Sequence, residues 1–319
     1  GRGPRPRHGA SAVNGTERPR GHDPIVSKLE ELAAAANRGP DEPIPHAWLF
    51  SGARGVGKAT TARWWSAKLK CRDGAECRGL CVSCKRVAAG SHPDLCLVKI
   101  PKDKKQIGID PVRRAATEMA VKPVAPGPRV AIVDPAEQMT LEAQSAILKL
   151  LEEPPGWAVI VLVTDNPASL LPTIRSRCQR LGFGRLDETD MFAILAARGL
   201  DEDAARERLA VSGNDLGLAL SRDAAALEDL TTLRRRLAAL SAEPWDGEAL
   251  AVELAERRKK DPALDGLLLD WRLEEFRHAL TGGRGLATAD ATLEAFSALA
   301  RNANPRLALR TLLLGRGRR

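Results

Sequence analysis

The residues best suited to chemistry form a glycine-rich run, Gly52-Ala53-Arg54-Gly55-Val56-Gly57-Lys58-Ala59-Thr60, between an apolar segment and a helix-forming one. Glycines at 52, 55 and 57 let backbone N–H groups curl around a phosphate. The start of the following helix adds partial positive charge, and Lys58 would reach the terminal phosphates of a nucleotide. The motif asks for Ser or Thr directly after the lysine to hold Mg²⁺, and this chain has Ala59. Thr60 comes one position late, about 100° further round the helix. A carboxylate for the same site is expected at the end of a later strand, where Asp134 closes the apolar run Arg129-Val130-Ala131-Ile132-Val133. The next residue is Pro135, which has no acid to orient an attacking water; Glu137 lies two residues further on and is expected to point elsewhere. Two complementary losses argue against hydrolysis by this chain alone and leave open binding without hydrolysis.

A second cluster is made of thiols. Cys71, Cys77, Cys81 and Cys84 follow the spacing C-x5-C-x3-C-x2-C in a loop between a helix and a strand. Four thiolates at this density suit tetrahedral Zn²⁺, and a four-cysteine shell leaves no open position for chemistry, so the metal would be structural. A disulfide pairing or free thiols is the alternative. Cys96 and Cys178 are expected to be ordinary buried thiols. His92 is a possible substitute ligand, although a packing role suits it better.

The elements that must position these groups can be read from the apolar pattern. A helix is expected over Ile25 to Asn37, a strand at Ala47 to Phe50, a helix from Lys58 to Lys70 and a strand at Leu95 to Ile100. Asp110 and Pro111 supply an N-cap and first helical position for a helix to Met119. Strands follow at Arg129 to Val133, at the fully apolar Ala158 to Val163, which suits the middle of a parallel sheet, and at Gln179 to Phe183. A helix with Ala143, Ile147, Leu150 and Leu151 on one face is stopped by Pro154-Pro155. Alternating strands and helices imply an α/β domain with a parallel sheet. Beyond Leu186 the strand signals vanish and helical spacing takes over. The expected organisation is a basic, disordered tail over 1–21, an α/β domain over 22–185 with the metal module at 71–84, a helical lid over 186–242 and a C-terminal helical bundle over 243–319.

Leu171-Pro172-Thr173-Ile174-Arg175-Ser176-Arg177-Cys178 resembles the segment of clamp-loader AAA+ subunits that carries their Ser-Arg-Cys motif. The resemblance extends to His46-Ala47-Trp48-Leu49-Phe50, Gly90-Ser91-His92-Pro93-Asp94, Val133-Asp134-Pro135-Ala136-Glu137 and Leu148-Lys149-Leu150-Leu151-Glu152-Glu153-Pro154-Pro155. These are similar to the delta-prime subunits of bacterial DNA polymerase III over residues 21–185. The resemblance implies an AAA+ P-loop-type domain, a small zinc module, and Arg177 as an arginine finger acting in trans on a neighbour's ATP; taken by itself, Arg177 reads as a surface arginine pairing with a carboxylate. It also implies partners: gamma/tau-type and delta-type sister subunits in a hetero-pentamer, a sliding clamp, and primed DNA. Motor subunits of the gamma/tau type keep the hydroxyl after the lysine, a glutamate after the aspartate, and a sensing arginine in a Gly-x-x-Arg pattern; here that local match reads Gly213-Asn214-Asp215-Leu216.

Composition is consistent with this reading and excludes other classes. Hydrophobic residues make up 44% of 319, aromatics only 3%, so an aliphatic core of helices on a sheet is expected rather than an all-β sandwich. No apolar run is long enough for a membrane span, and the first residues lack a signal-peptide pattern, so a cytoplasmic protein is expected. The net charge of +8 is matched in size by eight arginines near the two ends: Arg2, Arg5, Arg7, Arg18, Arg20, Arg316, Arg318 and Arg319. They are either solvated or a weak, salt-sensitive handle on nucleic acid. Rival readings are an ATP-hydrolysing motor subunit, a zinc-containing DNA-binding protein with a relic phosphate loop, and a scaffold.

Overall fold

The computed structural model describes residues 17–38, 44–71, 73, 77, 79–212, 216–221, 229, 231–233, 235–237, 244–258, 264, 268, 271, 294, 295 and 305–314. The chain divides into two compact units, Gly1–Asp190 and Met191–Arg319.

Five strands build the first unit: β1 (Ala47–Gly52), β2 (Leu95–Val98), β3 (Arg129–Val133), β4 (Ala158–Thr164) and β5 (Gln179–Phe183). They form one sheet in the order β2-β3-β4-β1-β5, with every pairing parallel. β4 lies in the middle with all seven residues buried, as a run of Val, Ile and Leu with no polar face requires. Helices α1 (Asp23–Arg38), α2 (Lys58–Leu69) and α3 (Val82–Ala88) cover one face, where Phe50, Ile132, Val161 and Phe183 point. Helices α4 (Ile109–Ala120), α5 (Leu141–Glu152) and α6 (Pro172–Arg177) cover the other, over Leu49, Ala131, Ile160 and Leu162. Strand residues alternate between the two layers, so one strand serves both cores. This is the α/β domain with a parallel sheet that the alternation of strands and helices implies.

Three details differ from the sequence reading. The core of the first face is not purely aliphatic: Trp48 packs edge-on against Trp65 at 5.2 Å, and Phe50 lies 5.2 Å from Phe183. The few aromatics are concentrated where they bury most area. α4 begins one residue before Asp110, capped by Gly108 in extended conformation, because Ile107 is tied to Met139 as an isolated bridge and fixes the entry. Asp110 therefore sits in the first turn, where its charge still favours the helix. Residues 17–21, assigned to the tail, lie against α1: Arg18 pairs with Asp23 at 2.7 Å and Glu30 at 3.3 Å. Residues 1–16 of that tail lie outside the described residues.

The second unit begins within α7 (Glu188–Ala196) and continues through α8 (Glu202–Val211), α9 (Leu216–Ser221) and helices Pro244–Arg258 and Pro305–Leu314. Its described residues contain no strand, and its core is Leu and Ala with Trp271. Among the described residues no helix is long and apolar enough to cross a membrane.

Behind the first face lies one buried charge cluster. Asp94 is fully buried and takes Lys70 at 2.7 Å, Arg129 at 3.2 Å and the backbone N–H groups of Val124 and Ala125 at 2.8 and 2.9 Å. Burial opposes its charge, but the Lys70 ammonium and the Val124 and Ala125 N–H groups prevail and hold the carboxyl down to about 2. Since the folded group titrates below an unfolded aspartate, its stabilisation is complete above pH ~4 and is lost as pH falls through 2. Asp94→Ala leaves Lys70 and Arg129 buried without their anion, and equilibrium unfolding in urea at neutral pH should show a loss of about 3–5 kcal/mol that shrinks in acid.

Candidate functional site

Parallel strands all end on the same edge of the sheet, and the loops after β1 and β3 meet there. Gly52 closes β1 with φ +153°; a Cβ here would meet the Phe183 carbonyl oxygen at 2.2 Å, so this glycine lets the loop start hard against β5. Gly57 has φ +96° as the residue before α2, a left-handed conformation that glycine adopts freely. Gly55 lies between them, also at positive φ. His22 fastens the loop from outside, its Nε2 3.0 Å from the Val56 carbonyl oxygen and its ring edge-on to Phe183.

Lys58 is buried and turned in on the loop, donating from Nζ to the carbonyl oxygens of Gly52 at 2.7 Å and Ala53 at 2.6 Å. A small cavity next to it is lined by Ala59, Arg63, Leu97, Val98, Lys99, Ile132 and Asp134. Ala59 and Asp134 thus share the space where a metal-binding hydroxyl and carboxylate would meet, while Thr60 does not line it. Burial pushes the Asp134 carboxyl up, against the pull of Arg63, Lys58 and Lys99. Arg63 is one helical turn beyond Ala59, a spacing that could have revealed it; Lys99 follows directly on β2. The Asp134–Pro135 peptide is cis. Glu137 faces Thr164 and Asp165 at the end of β4 and does not line the cavity; burial and Asp165 push its carboxyl up.

The four clustered cysteines converge. Their sulfurs all lie within 4.8 Å of one another, with Cys77 and Cys84 at 3.8 Å. A tetrahedral ion with metal–sulfur bonds of about 2.3 Å sets neighbouring sulfurs about 3.8 Å apart, so the cluster can hold a metal ion. None of the six cysteines is in a disulfide among the described residues. α3, which the sequence reading missed for its shortness, presents Cys84, and Cys81 caps it by accepting the Cys84 N–H at 3.4 Å. Burial opposes a Cys77 thiolate, yet the Cys81 N–H and the adjacent thiols bring it down to about 6. Burial pushes Cys71 up to about 11. His92 is not in the cluster: its Nδ1 accepts the Asp94 N–H at 3.0 Å and its Nε2 lies 3.1 Å from Ser83 Oγ. Cys178 is buried and Cys96 partly so, each pushed up to about 12 by burial.

Arg177 closes α6, apart from the phosphate-loop cavity, with its side chain 37% exposed. It donates to the Thr173 carbonyl oxygen at 3.0 Å and pairs with Glu152 at 2.8 Å, the carboxylate pairing that the residue by itself suggests, with an acid that the sequence does not single out. The start of α6 is held by buried Gln144, which donates to the carbonyl oxygens of Met139 at 3.3 Å and Ser169 at 3.2 Å and accepts the Leu171 N–H at 2.8 Å.

Residues 27–187 match the family model described as DNA polymerase III, delta subunit. The chain is similar to the delta′ subunit of DNA polymerase III from Pseudomonas aeruginosa, 33% identical over 261 residues covering 77% of this chain and 76% of that one. The delta′ subunit from Bacillus subtilis is 38% identical over 141 residues, 44% of this chain and 42% of its own. The tau/gamma subunit from Haemophilus influenzae is 33% identical over 181 residues, 56% of this chain but only 26% of its own.

Gln144→Leu would leave the Leu171 N–H and two carbonyl oxygens without their shared partner. Denaturant unfolding should show a loss of about 2–3 kcal/mol, and an unchanged midpoint would mean that the amide does not staple α6 to α5.

Proposed function

The chain belongs to the delta′-subunit family of DNA polymerase III, and we propose that within a clamp loader it acts as the subunit that does not hydrolyse ATP but lends Arg177 to a neighbour's nucleotide. The observation that carries this reading is the contrast between two sites. The chain's own phosphate loop has Ala59 and Asp134 lining one small cavity without a hydroxyl, and Pro135 in place of an acid, while Arg177 stands partly exposed at a helix end outside that cavity. A guanidinium set beside a γ-phosphate stabilises the charge that develops during phosphoryl transfer, an effect worth ~10³–10⁵ in rate. Its five fixed donors can face two phosphate oxygens at once, which a lysine cannot match.

In this reading the partners are gamma/tau-type and delta-type sister subunits in a hetero-pentamer, together with a sliding clamp and primed DNA in the cytoplasm. The helical region serves as a lid over 186–242 and a collar over 243–319. The similarity to tau/gamma subunits favours a hydrolysing motor as the second reading, and the two readings diverge experimentally. In a complex reconstituted with motor subunits, clamp and primed DNA, Arg177→Ala should lower ATP turnover by at least ~10³-fold at the affected site, while the isolated wild-type chain turns over no ATP. Brisk hydrolysis by the isolated chain would establish the motor reading instead, and unchanged turnover in the Arg177→Ala complex would leave a scaffold.

We also propose that the ion held by Cys71, Cys77, Cys81 and Cys84 is structural Zn²⁺, with all four sulfurs as thiolates and no position left for substrate. Elemental analysis should find one zinc per chain. Cys84→Ser should lose most of it and lower Tm, and chelation of the wild type should reproduce the shift.

A further inference from the structure

Glu152 is the last residue of α5 and Arg177 the last of α6, so their side chains meet where two packed helices end. One Nη of Arg177 is on the Thr173 carbonyl oxygen at 3.0 Å and the other is on Glu152 Oε1 at 2.8 Å. Both side chains remain substantially exposed, at 37% and 48%. An ion pair this wet contributes little to folding stability, so its value has to be sought elsewhere. What it does control is geometry. An arginine at a helix end has four rotatable side-chain bonds, and these two acceptors restrict the guanidinium to one direction while leaving the rest of its N–H donors free. A group meant to meet a phosphate on another subunit loses rate steeply when it is misplaced. The carboxylate also keeps the cation from pairing with other acids on its own surface before assembly, and its exposure lets a more highly charged phosphate compete for the remaining donors.

We propose that Glu152 is a positioning residue for Arg177, holding the guanidinium in the direction from which it engages the neighbouring subunit's nucleotide. This rests on the reading of Arg177 as acting in trans. The test uses the reconstituted complex with motor subunits, clamp and primed DNA, and compares wild type, Glu152→Gln, Arg177→Ala and the double variant. Glu152→Gln keeps the shape and removes the charge. It should lower kcat for ATP by about tenfold with little change in KM. In the Arg177→Ala background it should change nothing further, because there is then no guanidinium to orient. If Arg177→Ala itself has no effect, the proposed function fails. If Arg177→Ala slows turnover but Glu152→Gln leaves it unchanged or raises it, the positioning role is overturned while the proposed function stands. If Glu152→Gln slows turnover by the same factor with and without Arg177, Glu152 acts through general structure and the positioning role is likewise overturned.

Discussion

Everything at the functional edge depends on one constraint, the in-register parallel pairing of β4 with β1 on one side and β3 on the other. Parallel strands must all finish on the same side, and adjacent strands are held within about 5 Å by their hydrogen bonds. This alone brings the loop after Gly52, the Asp134 carboxylate and the Thr164-Asp165 turn to one place, although they come from distant parts of the chain. The buried apolar faces of β3 and β4 fix the register, since a slip by one residue would exchange the two cores. A site with Ala59 and Pro135 at these positions therefore keeps its shape, because the shape comes from strand pairing.

Asp94 plays a corresponding part at the opposite end of α2. Lys70 directly precedes Cys71, so the carboxylate that takes Lys70 also anchors the first residue of the thiol loop. Ser83 donates to the Lys70 carbonyl oxygen at 2.8 Å, and Cys84 lies against the Ala67 carbonyl oxygen, so α3 is fastened to the same helix end. The phosphate loop and the cysteine cluster are thus two ends of one 12-residue helix, each end held by a different kind of interaction.

Much of this was legible in the sequence because it is local. β3 and β5 have the limits that the sequence predicts: β3 is a continuous buried run, whereas β5 buries only Leu181 and Phe183. The glycine run, the missing hydroxyl and the four-cysteine spacing are also local facts, and the structure brings each set together. The rest was hidden because it depends on long-range partners. Nothing near Glu152 in the chain announces Arg177 as its counter-ion, and Gln144 is an ordinary polar residue until Leu171 is placed beside it. α3 is too short to show a period, and the aromatic cluster combines residues from β1, α2 and β5 that no window spans.

Lys58, turned in on Gly52 and Ala53, bears on how such chains are interpreted. A cation that satisfies two loop oxygens contributes to the upkeep of the fold whether or not a ligand ever arrives. A phosphate-loop lysine can therefore serve the architecture of its own loop, and its presence in a sequence does not by itself establish nucleotide turnover.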